Sequence, residues 1–544
     1  MCHHFVGIDV GTGSVRAGVF DETGNLLSVA KKDIKTWRED GSIVEQSSRD
    51  IWDAVCDCVR RSVQQAGVSV ETVKGIGFDA TCSLVVLNAS GDPIAVGPSE
   101  DLERNIIVWM DHRAVEQANR INAGGHEVLQ YVGGTISPEM ETPKILWLKE
   151  NRPEIFAAAR HFFDLADFLS WRATGCEARS ACTVTCKWTY LAHERRWDAR
   201  YFEAIGLSEL IENDFARIGS VVQDIGTALG DGLSVAAAGE LGLLAGTPVG
   251  ASLIDAHCGG VGTFSNRAPD GSAIDPERQM ALIMGTSACA MTLAREPSFV
   301  EGVWGPYYGA MVPGYWLLEG GQSAYGAALD HLLMLHPSYP ATKARADAEG
   351  LSLPAYLERL ALSKAGSLEN AAFLARDIHV VPEFLGNRAP FADPEAKAIL
   401  DGLTIDKGES SLVQLYVAGL CGLCYGTRQI IEAEKLKGLP LELIIVSGGA
   451  AQSPLLRQLL CDATGLKVAL PATAEPVLLG GAIIGSVASG HFKGIAEAAD
   501  EMSRIKEINE PMGGKISRLH DIKFEAFCLL QEADRRVRHL TKTI

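Results

Sequence analysis

The chain has 544 residues, 47% of them hydrophobic and 22% charged, with a formal net charge of −19. That length exceeds one ordinary core and predicts two domains of roughly 200–270 residues in a normal globular mixture. The negative charge argues against a nucleic-acid or anionic-membrane partner. No apolar run reaches the ~18 residues a membrane helix needs, since stretches 235–254 and 477–489 are broken by Glu240, Pro248 and glycines. The amino-terminal residues lack a cationic region, a long apolar core and a small-residue cleavage site, so the expected location is cytoplasmic. Thirteen cysteines are scattered without paired spacing. Cys421 and Cys424 lie in a stretch that reads as a buried helix, and Cys176, Cys182 and Cys186 have no nearby histidine at zinc spacing. All are expected to be reduced and packed as small hydrophobes.

In chain order, residues 5–10 and 15–20 read as strands flanking the turn "DVGTGS", and Glu22-Thr23-Gly24-Asn25 turns toward a third strand at 26–32. A helix over 48–65 follows, with Ser48 as its N-cap. Then "VKGIGFDATCSLVVLNASGDP" reads as strand, polar corner, strand and turn, and helices are predicted near 114–123, 143–150, 153–158 and 164–174. The polar stretch "SNRAPDGSAIDPERQ" (265–279) marks the domain boundary, giving domains 1–268 and 269–544. Immediately after it, "MALIMGTSACAMTLAR" repeats the opening pattern of apolar run, Gly-Thr turn with a serine, and apolar run. Such an echo suggests two related halves. Farther on, "LELIIVSGGAAQSPLLRQLLCDATG" is a strand with a glycine-rich exit and a helix from about Pro454. An amphipathic helix at 521–540, with Phe527, Leu530, Val537 and Leu540 on one face, is expected to pack on the second domain. Alternating strands and helices make the chain α/β.

The turns carry the chemistry. In "DVGTGSVR", Gly11 and Gly13 allow backbone N–H groups to approach a phosphate, and Thr12 and Ser14 add hydroxyl donors. Asp9 is placed to hold Mg²⁺, which favours one or two carboxylates plus phosphates. Taken alone, the same residues also fit a plain hairpin with Asp9 bonding its own turn. A dinucleotide fingerprint is disfavoured, because "GTGSVR" lacks the third glycine and leads into a strand.

The ordered segments "DVGTGSVR", "VWMDHRA", "LIDAHCGGVG", "MGTSACAM", "EGGQSAYGAALDH", "FLGNRAPFADP" and "VSGGAAQSP" resemble the FGGY family of carbohydrate kinases, within the actin, hexokinase and chaperone ATPase superfamily. The resemblance implies two ribonuclease-H-like domains with ATP and sugar meeting in an interdomain cleft. It assigns Gly285, Thr286 and Ser287 to an opposing phosphate cradle, Asp255 to general base and sugar contact, and Gly448, Gly449, Ala450 and Gln452 to adenosine. Where relatives often have Gln after this Asp, Ala256 and His257 follow, which leaves His257 open between a structural and an active-site role. Gly-Gly-Ala-Ala replaces the commoner Gly-Gly-Gly-Ala at 448–451.

Candidate sugar readers are Thr81, Cys82, Ser83 and Asp111. The corner "TCSLVV" resembles the D-ribulose kinase branch, lacking both the Met-His-Gly of xylulose kinases and the Arg-Glu of glycerol kinases. The implied reaction is ATP- and Mg²⁺-dependent phosphorylation of D-ribulose to D-ribulose 5-phosphate. L-Ribulose, xylulose or a pentitol such as ribitol are alternative substrates, and a non-catalytic ATP-binding regulator is the alternative class. Partners are a small sugar and MgATP; the oligomeric state is left open, a homodimer included. Arg16 is read as an outer group of the first turn, Lys144 as opening a helix, Glu319 and Gln322 as helix caps or sugar contacts, and Arg388 as a brace at the domain interface.

Overall fold

The computed structural model describes residues 2–39, 42–264, 267–268 and 270–542. Residues 265, 266 and 269 of the expected boundary lie outside the described residues, and the division between 268 and 269 with them.

Each half is organised by one sheet. In the first, strands β1 (His4–Val10), β2 (Ser14–Asp21) and β3 (Leu26–Asp33) form an antiparallel meander. β4 (Val73–Ala80) lies parallel to β1, and β5 (Val249–Ile254) parallel to β4, so the order is β5-β4-β1-β2-β3. The second half repeats this plan. β6 (Gln279–Met284), β7 (Ala288–Ala294) and β8 (Trp316–Gln322) form the meander, and β9 (Leu443–Ser447) and β10 (Lys467–Pro471) add the two parallel strands. Its order is β8-β7-β6-β9-β10, with one further strand at each edge. The echo seen between 5–20 and 280–295 is thus a repeat of topology. β1, β4 and β5 are buried along nearly their whole length, as expected for parallel strands covered on both faces.

Helices cover these sheets. α1 (Ser48–Ala66) packs its Ile51, Val55 and Val59 face under β2 and β3. Its N-cap is Ser47 rather than Ser48: the Ser47 hydroxyl accepts from the Asp50 N–H at 3.1 Å, while the Ser48 N–H donates to Asn105. The short α2 (Ala181–Lys187) and α3 (Asp255–Thr263, directly after β5) belong to the first half. α4 (Glu409–Leu436) is the buried helix expected around Cys421 and Cys424. α5 (Pro454–Thr464) and α6 (Pro476–Ala488) follow β9 and β10. α7 (Lys515–Thr541) packs on the second half through Leu519 and Phe527. Its expected apolar face stops short, since Val537 is 59% and Leu540 68% exposed. All thirteen cysteines are free thiols. Among the described residues, no helix is long and apolar enough to cross a membrane.

α6 joins the halves. It belongs to the second half by sequence, yet it lies across β1 and β4 of the first sheet. The contact is backbone on backbone: a Cβ on Gly7 would come 1.8 Å from the Leu478 carbonyl oxygen, and one on Gly75 2.0 Å from that of Gly485. Neither partner is a side chain that can swing away. Gly7→Ala is therefore expected to lower stability by about 3 kcal/mol or more, the upper end of overpacking costs. A thermal melt checks this, and an unchanged midpoint would show that α6 shifts freely over the sheet.

Candidate active site

Because β1, β4 and β5 run parallel, their carboxyl ends collect at one edge, where α/β sheets bind ligands. Each delivers an aspartate there. Asp9 lies in β1 and pairs in register with Asp79 of β4, and Asp255 follows β5 directly. Arg16 on β2 holds Asp9 through Nε at 2.8 Å and Nη2 at 2.5 Å, and its Nη1 reaches Glu475 at 2.6 Å, just ahead of α6. The outer-group reading of Arg16 fits this geometry. Asp79 is fully buried, and neither of its carboxylate oxygens has a hydrogen-bond partner. Burial and the neighbouring Asp9 charge push its pKa well above the usual carboxylate range. An unpaired buried carboxylate beside a second one calls for a cation. The pair therefore fits Mg²⁺, and Asp79 was missed in sequence, where it reads as a strand-end residue of a corner.

The first turn spans residues 11–14, closed by Gly11 N–H to Ser14 O at 3.1 Å. Around Gly11 and Gly13 there is room for a ligand: a Cβ on Gly13 would meet nothing within 4 Å, and one on Gly11 only the Ser14 oxygen at 3.7 Å. Neither glycine has positive φ, so their smallness serves open space rather than turn geometry. Thr12 Oγ1 accepts from Trp109 Nε1 at 3.0 Å, and its carbonyl accepts from Gln46 at 2.7 Å. The second turn is similarly open: Gly285 and Thr286 are exposed, and a Cβ on Gly285 would meet only the Ser287 oxygen at 3.7 Å.

Gly285 and Thr286 form one wall of a cavity of about 540 Å³, whose opposite side carries Gly449, Ala450, Gln452 and Ser453. Two residues of the second phosphate turn and three of the four residues expected to hold adenosine therefore share one cavity. Gly448 serves packing: with φ +90°, its Cβ would lie 2.4 Å from the Met284 carbonyl oxygen. Between the halves runs a further cleft of about 770 Å³, bounded by Trp109, His112 and Glu139 on one side and Ser287, Trp304 and Arg388 on the other.

Asp255 opens α3 and is partly exposed. Its Oδ1 accepts from the Ala256 N–H at 2.7 Å, and it caps no further N–H. Burial of its surroundings and the Asp9 charge raise its pKa to about 6, against the pull of the Ala256 N–H, His257 and Lys187. It stays mostly ionised at neutral pH yet close enough to 7 to take up a proton. Behind it, His257 is buried, with Nδ1 3.1 Å from Cys182 Sγ and Nε2 3.3 Å from Glu319 Oε2. Burial opposes its charge, but Cys182 and Glu319 together raise its pKa to about 9. Arg388 Nη2 bonds the other Glu319 oxygen and stacks on Trp304 at 4.4 Å. Lys187 lies 4.6 Å from the same ring, on its own side of the cleft. Burial would raise the Glu319 carboxyl, yet Lys187, Arg388 and His257 hold it well below the usual range.

Several expectations change here. Glu319 sits in β8 and caps no helix; it ties His257 of the first half to Arg388 of the second. Gln322 donates to Leu423 O at 2.9 Å and Thr427 Oγ1 at 3.1 Å, so it is fastened to α4. Lys144 lies inside a helix spanning Glu141–Asn151, fully buried and paired with Glu141. Asp111 is fully buried, and its oxygens accept from Val44 N, Arg113 N, Arg113 Nε and Arg113 Nη2 at 2.7–2.9 Å. Those bonds commit it to fixing the Val44–Gln46 strand beside the first turn. At the sugar corner, Thr81 N–H donates to Val10 O, its hydroxyl meets Ser83 Oγ at 3.2 Å, and Ser83 Oγ accepts from Trp109 N. Cys82 is partly exposed, with Lys187 among its charged neighbours. Lys187 carries no local motif in the sequence; the nonlocal meeting of α2 with the Trp304–Tyr308 strand reveals it.

Two halves of one topology, each presenting a glycine-threonine turn, with a row of aspartates at the strand ends of the first, have the two-domain fold expected of the actin and hexokinase class. The chain belongs to the FGGY family of carbohydrate kinases, and it is an ATP-dependent sugar kinase: residues 4–262 match the family's N-terminal domain and 280–489 its C-terminal domain. It is 45% identical over 536 residues to the human FGGY carbohydrate kinase domain-containing protein, covering 97% of this chain and 96% of that one. It is 40% identical over 515 residues to a D-ribulokinase of Saccharomyces cerevisiae, covering 90% and 72% of the respective chains. Among solved structures, a xylulose kinase from Rhodospirillum rubrum superposes with a TM-score of 0.81 at 19% identity, covering 99% of this chain and all of that one.

Proposed function

We propose that this sugar kinase phosphorylates D-ribulose at its terminal hydroxyl to give D-ribulose 5-phosphate, with Asp255 as general base. The observation that carries the base assignment is the position of Asp255: a partly open carboxylate at a strand end, its pKa raised to about 6 by burial and by the charge of Asp9, which precedes the first phosphate turn. The similarity to the yeast D-ribulokinase supports the substrate. In this reading the domains are 1–268 and 269–544, and the protein works in the cytoplasm.

Phosphoryl transfer to an alcohol is mainly positioning and charge neutralisation. The sugar hydroxyl gives its proton to Asp255 as its oxygen bonds the γ-phosphorus and the bridging bond to ADP breaks. Gly11, Thr12, Gly13 and Ser14 face the phosphates from one half, and Gly285, Thr286 and Ser287 from the other. Gly449, Ala450 and Gln452 hold adenosine, with Gly448 setting their approach to β6. Asp9 and Asp79 would hold Mg²⁺, which supplies charge neutralisation on the phosphates. Thr81, Cys82 and Ser83 line the sugar side with Lys187, and Asp111 positions the strand beside them. Closing the cleft over these groups excludes water, the competing acceptor.

An ADP-release assay across D-ribulose, L-ribulose, xylulose and ribitol tests the substrate. D-Ribulose is expected to lead in kcat/KM by at least about 100-fold, because buried polar readers are left unpaired by a wrong stereoisomer. Preference for any other member of the panel overturns the choice of sugar and leaves the kinase chemistry standing.

A further inference from the structure

Cys182 and Cys186 lie four residues apart on α2, so both sulfurs project from one face of the helix. His257 enters the same space from α3. Its Nδ1 stands 3.1 Å from Cys182 Sγ and 3.9 Å from Cys186 Sγ, and the three donor atoms all lie within 4.8 Å of one another. All three residues are buried. No local spacing reveals this cluster, because the histidine comes from a segment 71 residues beyond Cys186.

We propose that Cys182, Cys186 and His257 form a binding site for a thiophilic divalent cation such as Zn²⁺, directly behind the catalytic aspartate. The spacing suits it. Zn–S bonds of about 2.3 Å and Zn–N bonds of about 2.0–2.1 Å, set tetrahedrally, separate the donors by roughly 3.5–3.8 Å. The two sulfur–nitrogen distances bracket that range, so sub-ångström shifts would admit the ion. The outer shell suits it as well. The other ring nitrogen of His257 faces Glu319 Oε2 at 3.3 Å, the carboxylate–histidine pairing that orients an imidazole toward a metal. Soft thiolates and an imidazole select such a cation and reject Mg²⁺, which needs oxygen ligands. Binding releases to solvent the protons the donors carry, from the thiols and from Nδ1 of His257. Three protein donors leave a fourth coordination position open. His257 is two residues from Asp255, so the ion places positive charge behind the base and is expected to inhibit turnover reversibly. Binding itself does not depend on the choice of sugar or base.

Co²⁺ titrated into the reduced full-length protein provides the readout, since thiolate ligation gives a sulfur-to-cobalt charge-transfer band. We expect the band to saturate at one equivalent and to disappear when Zn²⁺ is added. Cys182→Ser and Cys186→Ser should each weaken binding at least about tenfold, and Glu319→Gln about tenfold through the outer shell. A partly exposed set, His3, Glu22 and His491, offers a second place for a cation but no thiolate, so His491→Ala should leave the band unchanged. X-ray absorption on the wild-type Zn²⁺ complex, expected to show two sulfur ligands and one imidazole, holds the test open if a serine variant fails to fold. Absence of a thiolate band, its survival in the Cys182→Ser/Cys186→Ser double variant, or its loss in His491→Ala would overturn the assignment.

Discussion

Asp255→Asn is expected to lower kcat between about 100- and 10,000-fold, the range general-base catalysis supplies, while ATP binding stays near the wild-type level. The asparagine keeps the shape and can still accept the Ala256 N–H, but it cannot take the proton of the sugar hydroxyl. In the proposed reading adenosine and the second phosphate turn use a cavity lined by Gly285, Thr286, Gly449 and Ala450, which Asp255 does not line. Steady-state ADP release together with an equilibrium nucleotide-binding titration separates the two effects. Undiminished turnover would remove Asp255 as the base. Equal loss of turnover and nucleotide binding would instead make it part of the phosphate site, with the carboxylate acting near Asp9.

What was legible in the sequence was local. A run such as "FVGIDVGTGSVRAGVF" contains its own strands and its own turn, and its copy at 280–295 announced the second sheet. The helix over 153–158 was read to the residue, because Pro153 fixes its first turn. The adenosine segment at 448–452 and the second turn could be placed separately, though only folding puts them in one cavity. The unread parts depend on partners far away in sequence. Asp79 looks like an ordinary strand end until β1 lays Asp9 beside it. Lys187 and Glu319 are 132 residues apart and meet only across the cleft. Asp111 misled for the opposite reason: a lone aspartate in "VWMDHRA" reads as a ligand group, but Arg113, two residues on, consumes it. The α6 crossing was hidden too, because glycines opposed to glycines signal close approach only once both strands and helix are placed.

Asp79→Asn should separate stability from function, and in opposite directions. In the protein without cation, Asp79 is a buried carboxylate with no hydrogen-bond partner, beside the charge of Asp9. Such a group costs stability, because desolvation and the Asp9 charge outweigh what the neighbouring Cys258 thiol returns. The neutral amide removes the cost of burying an acid there, which is met by repulsion when it is charged and by uptake of a proton when it is not. It can also donate to Asp9, so the melting midpoint without Mg²⁺ is expected to rise, by an amount corresponding to about 1–3 kcal/mol. The same change removes half of the carboxylate pair that fits Mg²⁺. The Mg²⁺ concentration for half-maximal rate is therefore expected to rise about 10- to 100-fold, as losses of metal-supporting groups do, with kcat/KM for MgATP falling alongside. Thermal melts with and without Mg²⁺, and rate against Mg²⁺ at fixed ATP, read the two effects independently. A variant that melts earlier and keeps the wild-type Mg²⁺ dependence would make Asp79 a structural residue and leave Asp9 alone as the carboxylate for the cation. A midpoint that rises without any change in Mg²⁺ dependence would show that the buried acid costs stability but is satisfied by a proton, so that the strain at the carboxyl end of β4 serves no metal at all.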